Sequence, residues 1–225
     1  MLRPVLSACA LTFLASAASA AVLDFETGFS GNKTAITGTE FQASSGVSFS
    51  SPNGLYIVKV GGKTDGFVPF DRPNPADAFG DYFLTSDFGT VTALTIDFAE
   101  AVLATSFDVA DIDGRGNNLE VFTFIARDAT GNALATQTVT GQDANAGNRA
   151  VTRIGFSGLG SLISQIEITG TTFGGTRKIG IAFDNFNTTV NTLQEPSPVP
   201  LPAGAPLALL GLGALGLLRA RRKAA

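Results

Sequence analysis

Hydrophobic and polar positions alternate in short runs between residues 21 and 190, and Gly, Asn and Asp interrupt these runs. In segment 94–98, Leu94, Ile96 and Phe98 fall on one face of an extended strand, and the two polar residues between them fall on the other. This alternation is typical of antiparallel strands with one buried and one solvated face. Because no apolar repeat with the helical period of 3.6 residues is long enough for a helix, the pattern predicts an all-β domain.

Roughly ten such runs, separated by frequent turns, predict an antiparallel two-sheet sandwich that is jelly-roll-like. The turn at 128–132 predicts a hairpin because Gly131 can adopt a positive φ. Segment 61–80, with three prolines, predicts a long loop. Besides 94–98, strands are predicted for Leu23 with Phe25, Val47 with Phe49, and segments 55–60, 104–112, 119–127, 133–139, 150–156, 163–169 and 178–186.

The N-terminal segment has the order of charge, apolar stretch and small residues found in secretory signals. Arg3 precedes an apolar stretch, and Ala18-Ser19-Ala20 has the A-x-A form of a signal-peptidase site. These features predict a signal peptide over 1–20 and an exported domain over 21–190. A lipoprotein anchored through Cys9 is the alternative, and the scarcity of apolar residues before Cys9 disfavours it.

A proline-rich segment and then an apolar segment follow the domain. Residues 191–202 predict an extended linker. Residues 203–218 are apolar and uncharged, and four cations follow within 219–223. At 1.5 Å per residue this segment covers about 24 Å, so it predicts a short transmembrane helix with the domain outside the cytoplasm. A buried core helix is the alternative, which the cationic cluster and the apolar character all round the segment disfavour.

The start of the tail, within 199–225, resembles the VPLPA-type branch of the PEP-CTERM sorting signals. That family's tail is recognised and removed by exosortase, an integral-membrane cysteine transpeptidase. The resemblance therefore implies an exosortase-type partner, anchorage in the inner membrane, and a cell-surface or extracellular location after processing. The residues that carry it are Val199, Pro200, Leu201, Pro202 and Ala203.

The tail also departs from the commoner Pro-Glu-Pro form of this signal. Only Glu195-Pro196 is present, after Gln194. The bond that is cut therefore cannot be assigned from the resemblance.

Charge and composition narrow the classes of function. Residues 21–195 contain 10 Lys and Arg against 19 Asp and Glu, a net charge of −9, which makes nucleic acid an unsuitable partner. The chain has no His, and its one Cys is Cys9, within the predicted signal peptide. Ser-His-Asp and Cys-His catalysis and His-based zinc sites are thereby excluded. We expect no enzyme, with a glycoside hydrolase that uses a carboxylate pair as the remaining catalytic alternative.

Three carboxylates lie near the two ends of the domain. The opening segment 23–27 and the closing segment 181–186 resemble those of galactose-binding-like and carbohydrate-binding-module jelly rolls. In many such modules, carboxylates of the first and last strands bind a structural Ca²⁺. The resemblance implies Glu26 and Asp184 as ligands, with Asp24 a weaker candidate. The alternative interpretation is that all three acids are simply polar residues on the outward faces of strands.

The densest acidic segment, 108–120, is a second candidate for calcium. Aligned to an EF-hand with Asp111 first, Asp113 and Gly116 match the template. Arg115 and Phe122 occupy positions that need oxygen ligands, so a polar hairpin loop is favoured.

Sugar binding is the main rival to a purely structural role. Sugar rings stack on exposed aromatic side chains, and Tyr and Trp suit a half-wet position best. The chain has no Trp, so Tyr56 and Tyr82, with the loop 61–80, are the candidate glycan-binding residues. The sequence therefore predicts an exported, membrane-tethered surface or matrix protein with a non-catalytic binding or structural role, and a glycan-binding module as the alternative.

Overall fold

The computed structural model describes residues 21–61, 75, 77–86, 91–116, 118–141, 149–174, 179–180 and 182–189. All of them lie in the first of the chain's two units, Met1–Asn191. The predicted signal peptide, the linker 191–202 and the apolar segment 203–218 lie outside them, as does most of the loop 61–80. Within the described ranges, no helix is long and apolar enough to cross a membrane.

Two antiparallel sheets, with thirteen strands between them in this part of the chain, confirm the predicted sandwich. In chain order the elements are β1 (Ala21–Leu23), β2 (Lys33–Ile36), α1 (Gln42–Ser45), β3 (Val47–Ser50), β4 (Leu55–Lys59), β5 (Tyr82–Ser86), β6 (Val91–Val102), β7 (Ala104–Ala110), β8 (Gly114–Arg115), β9 (Asn118–Arg127), β10 (Ala133–Thr140), β11 (Val151–Phe156), β12 (Ile163–Thr172) and β13 (Ala182–Thr189).

The strands of each sheet come from distant parts of the chain. The first sheet has the order β11-β7-β13-β5-β4-β2, and β1 also pairs with β13. The second has the order β10-β9-β12-β6-β3, and β8 pairs with β9. The first and last strands are therefore neighbours, so β1 and β13 tie the two ends of the domain together.

Phenylalanine rings join the two sheets in the core. The ring centroids of Phe49 and Phe186 are 5.0 Å apart, and those of Phe107 and Phe124 are 6.0 Å apart. In both pairs one ring belongs to each sheet, and all four side chains are buried. At about 1.5 to 3 kcal/mol for each buried Phe side chain, these contacts are a main source of the sandwich's stability.

Two strand predictions need correction. Phe25 was expected to continue the first strand, but β1 ends at Leu23 and Phe25 has a φ of 58°. Its ring is nevertheless buried, because it packs against Phe41 at 5.1 Å and Phe186 at 5.7 Å. The last strand was predicted over 178–186, but Gly180 lies outside any strand and β13 begins at Ala182.

A second, smaller apolar cluster covers part of the outer face of the first sheet. Ile57 and Leu84 face the main core, whereas the adjacent Val58 and Phe83 point the other way. Phe79, from the loop before β5, covers them. The sequence pattern did not predict β5 because the strand is buried on both faces and shows no alternation.

Candidate functional site

The last strand changes partners partway along its length. One edge of β13 pairs with β7, with a register shift between Asp184 and Asn187. The opposite edge pairs with β5 at Phe183 and with β1 over 186–188. At the break Asn185 has a φ of 54°. Irregularities of this kind redirect side chains, and here the break holds the carboxylate of Asp184.

Asp184 is fully buried, with 0% of its surface exposed. Its Oδ1 accepts the backbone N–H of Asn185 at 2.7 Å, and the backbone amide of Gly80 also bonds the carboxylate. Its Oδ2 is buried without a hydrogen-bond partner among the residues that the structure describes. Burial raises the pKa of Asp184 from 3.8 to about 8, and the carboxylates of Glu26 and Asp24 add to the increase while the two amides oppose it.

Glu26 supplies the second carboxylate at this break. Its side chain is half-buried, and its Oε1 accepts the backbone N–H of Tyr82 at 3.1 Å. Gly80 packs so closely against it that a Cβ at position 80 would overlap the Glu26 carboxylate. A side chain at residue 80 would therefore displace the Glu26 carboxylate, because the loop before β5 lies directly against this acid.

Asp24 lies at the exposed edge of the same group. Its Oδ1 accepts the backbone N–H of Glu26 at 3.2 Å, which forms a tight turn. Phe25 sits between the two acids with its ring in the core, so it fixes the turn while both carboxylates stay outside the core. The group of Asp24, Glu26 and Asp184 is called the acidic site below.

Asn185 links the acidic site to its neighbours through side-chain hydrogen bonds. Its Nδ2 donates to the carbonyl oxygen of Ala78 at 2.8 Å and to Asp108 Oδ2 at 3.0 Å. Arg153 in turn donates to both carboxylate oxygens of Asp108, at 3.0 and 3.1 Å. Asp108 is thus neutralised by a cation, whereas in the described ranges neither Asp184 nor Glu26 has an ion pair.

The acidic site fits a hard cation in two respects. Asp184 Oδ2 has no hydrogen-bond partner among the described residues. The Glu26 carboxylate lies near enough to raise the pKa of Asp184, and neither acid is paired with a cation there. Carboxylate oxygens are the ligands that Ca²⁺ prefers. No group of three or more His, Cys, Asp or Glu side chains in the described part has the geometry of a metal site. Calcium would therefore be held by Glu26 and Asp184, and water or main-chain oxygen would have to complete its shell.

Sequence reasoning singled out all three acids but missed Gly80, Asn185 and Asp108. Gly80 and Asp108 meet the site only through the sheet order, which the sequence does not display. Asn185 did offer a signal, because Asn is one of the residue types that adopt a positive φ most readily.

The two tyrosines proposed for glycan binding both lie on the first sheet. The Nζ of Lys33 sits 3.9 Å from the centroid of the Tyr56 ring. Tyr82 is partly buried and packs against the main core, while its backbone N–H bonds Glu26. Tyr56 therefore contacts β2 through Lys33, and Tyr82 contributes to the packing of the core.

The acidic segment at 108–120 extends from the end of β7 through β8 to the start of β9. Asp111 Oδ1 accepts the backbone N–H of Arg149 at 3.0 Å, and Glu120 Oε2 accepts that of Asp113 at 3.2 Å. Glu120 is buried at 2% exposure. These carboxylates bond backbone amides, as expected for turn residues.

Three open cavities of about 310, 320 and 370 Å³ indent the described surface. Their volumes fall at the low end of the range for small-molecule sites. Hydroxyl, amide and carboxylate side chains provide their polar lining. These are Gln42, Ser44, Ser45, Glu100 and Thr188 in the first, Thr105, Ser106, Ser157 and Asn187 in the second, and Asp24, Thr27, Glu40 and Ser44 in the third.

No protein-family model and no curated protein sequence matches the chain. Among solved structures, TmCBM61 in complex with β-1,4-galactotriose is 13% identical over 72% of this chain and 99% of its own, with a TM-score of 0.38. The module CBM27-1 of Caldicellulosiruptor saccharolyticus in complex with mannohexaose is 16% identical over 76% and 97%, also at 0.38. A cleaved adhesin domain of Lys-gingipain is 11% identical over 77% and 99%, at 0.39. At such scores these structures indicate nothing about individual residues or ligands of this chain.

Proposed function

We propose that this chain is an exported, non-catalytic binding module that is stabilised by calcium and binds extracellular polysaccharide. The observation that carries the proposal is the lining of the open cavities, where most of the polar side chains carry hydroxyl or amide groups. Such groups both donate and accept hydrogen bonds, which is what the hydroxyl groups of a sugar require. Apolar ligands would need an apolar pocket instead.

The proposal assigns the acidic site a structural role. Glu26 and Asp184 are already bonded to backbone amides, and Asp184 is fully buried. A glycosidase needs two carboxyl groups that reach a sugar from a cleft. A calcium ion between β1 and β13 would join the two ends of the domain, which has no disulfide to do so.

Membrane attachment and processing are proposed from the sequence. The segment 203–218 would anchor the protein in the inner membrane, with the domain outside. The VPLPA-type segment would present it to an exosortase-type enzyme. Release from the membrane would then place the domain among the polysaccharides of the cell surface or the surrounding matrix.

Affinity electrophoresis tests the binding function. Full-length protein, purified in a detergent without sugar groups, is run through native gels that contain neutral or acidic polysaccharides, with calcium present. Soluble oligosaccharides prepared from the same polysaccharides serve as competitors. We expect retardation by at least one polysaccharide and its reversal by excess soluble sugar. Unchanged mobility in every gel would refute the proposed function.

A further inference from the structure

We propose that the cavity beside Asn187, at the junction of β7, β11 and β13, is the sugar subsite of this module and that it selects neutral polysaccharides. This inference rests on the proposed function, because it names the ligand-binding surface and the class of polysaccharide. The cavity has a volume of about 320 Å³. It is called the Asn187 groove below.

Four strands of the first sheet place small and polar residues side by side at the groove. Val22 of β1 is in register with Asn187 of β13, Asn187 with Ser106 of β7, and Ser106 with Gly155 of β11. Because paired residues point to the same face of a sheet, the four form one row. Ser106, Gly155 and Asn187 all line the groove.

An unsatisfied acceptor in this row points to a ligand. The Oδ1 atom of Asn187 is buried and has no hydrogen-bond partner among the described residues. Leaving a buried polar atom unpaired costs about 1 to 3 kcal/mol, so such atoms are normally paired in folded proteins. Because this oxygen is shielded from solvent in the structure, a turn of the Asn187 side chain toward the groove would let a donor from outside the chain, such as a sugar hydroxyl, bond it. Ser157 in the wall of the groove offers a further hydroxyl.

The groove carries no net charge. Arg153, at its rim, donates to both carboxylate oxygens of Asp108 and to Ser106 Oγ at 2.8 Å. Its positive charge is thus matched by Asp108, and the lining of the groove contains no Asp, Glu, Lys or Arg. A neutral sugar therefore fits the groove, whereas a uronate would bring an uncompensated negative charge to a domain that is already acidic.

Exposed aliphatic side chains flank the groove. Val22 is 54% exposed and lies in the same row as Asn187. Leu103 is 36% exposed and directly precedes Ala104, which lines the groove. Sugar rings present apolar C–H faces beside their hydroxyl groups, so aliphatic side chains next to a polar groove suit them.

Two substitutions probe the groove without disturbing the fold. In Asn187→Ala, the unpaired acceptor is removed, so the melting temperature should not fall. In Gly155→Ala, the new Cβ would meet Ser106 Cβ at 3.7 Å and the Thr105 carbonyl oxygen at 3.9 Å, which are ordinary contacts. The added methyl narrows the groove. Ser48→Ala, on the second sheet, is the matched control.

Each full-length variant is titrated with the polysaccharide that retards the wild type, and its melting temperature is recorded. We expect Asn187→Ala to weaken binding about tenfold or more, the loss of roughly one hydrogen bond, at an unchanged melting temperature. Gly155→Ala should weaken binding by a similar factor because its methyl group narrows the groove. Ser48→Ala should bind like the wild type, and acidic polysaccharides should bind at least tenfold more weakly than neutral ones.

The outcomes separate this inference from the proposed function. If the wild type binds a neutral polysaccharide and both groove variants bind it equally well, the subsite is wrong while the binding function stands, and Asn187 Oδ1 is satisfied by water alone. If only acidic polysaccharides bind, the selectivity is wrong. If no polysaccharide binds the wild type, the proposed function fails together with this inference.

Discussion

Replacing Asp184 with Asn should remove most of the effect that calcium and pH have on the stability of the domain. The substitution keeps the shape of the side chain and removes its charge. In the wild type without calcium, the buried Asp184 carboxyl holds a proton up to about pH 8, whereas the unfolded chain releases it near pH 3.8. Between these values the folded state binds more protons, so the free energy of unfolding falls as the pH rises.

The size of the effect follows from the pKa of Asp184. At 1.36 kcal/mol per pKa unit, the interval from 3.8 to about 8 corresponds to at most about 6 kcal/mol. The contribution of the protonated Asp184 carboxyl to the free energy of unfolding is complete below about pH 4 and is lost as the pH rises through about 8. Bound calcium stabilises the ionised form instead, and at a hundredfold excess over its Kd it adds about 2.7 kcal/mol.

Denaturation by urea at pH 5 and pH 8, with a chelator or with calcium, measures both effects. With chelator, the wild type should lose several kcal/mol between pH 5 and pH 8, and Asp184→Asn should lose much less. With calcium at pH 8, the wild type should regain stability and the variant should not. Asp128→Asn, at an exposed hairpin turn remote in sequence from the three acids, is the control, and we expect it to respond to calcium as the wild type does.

Two results would refute this reasoning. A wild type whose stability at pH 8 is indifferent to both chelator and calcium would show that the acidic site holds no ion. An Asp184→Asn variant that is much less stable than the wild type at pH 8 in chelator would show that the ionised carboxylate is stabilising in the folded state.

Three further predictions concern the loop over the acidic site and the tail. Gly80→Ala should cost about 1 to 3 kcal/mol and abolish the calcium response, since its Cβ would overlap the Glu26 carboxylate; unchanged urea denaturation curves would contradict this. Deleting 196–225 should release a soluble domain with an unchanged β circular dichroism spectrum, and aggregation would show that the tail belongs to the core. Replacing Pro200 and Pro202 with Ala should leave full-length precursor in the membrane fraction, and normal maturation on immunoblots would show that the motif is only a linker.

Alternation of polarity predicted the strands that have one buried face. In β6, the side chains of Leu94, Ile96 and Phe98 are buried in the core of the sandwich. The turn before Asn132 forms the β9–β10 hairpin, and Gly131 has a φ of 84° there. The pattern failed for β5, because one of its faces packs on the main core and the covering loop buries the other. It failed at Phe25 because a residue outside a strand can still place its ring in the core.

The candidate site could be predicted only in part, since its members meet through the sheet order. The acids at 24, 26 and 184 were selected by resemblance, and the structure places them near enough to act on the pKa of Asp184. Gly80 and Asp108 approach them only because β13 lies between β5 and β7. The unpaired oxygen of Asn187 depends on local geometry that no sequence pattern displays.

Equilibrium co-sedimentation with the extracellular polysaccharide of its own cells tests the central claim most directly. Full-length protein is mixed with the isolated polysaccharide in calcium and centrifuged, and the bound fraction is measured against polysaccharide concentration. The proposal predicts saturable binding that soluble neutral oligosaccharides compete away and that Asn187→Ala weakens. Protein that stays in the supernatant at every polysaccharide concentration, while remaining folded, would contradict it.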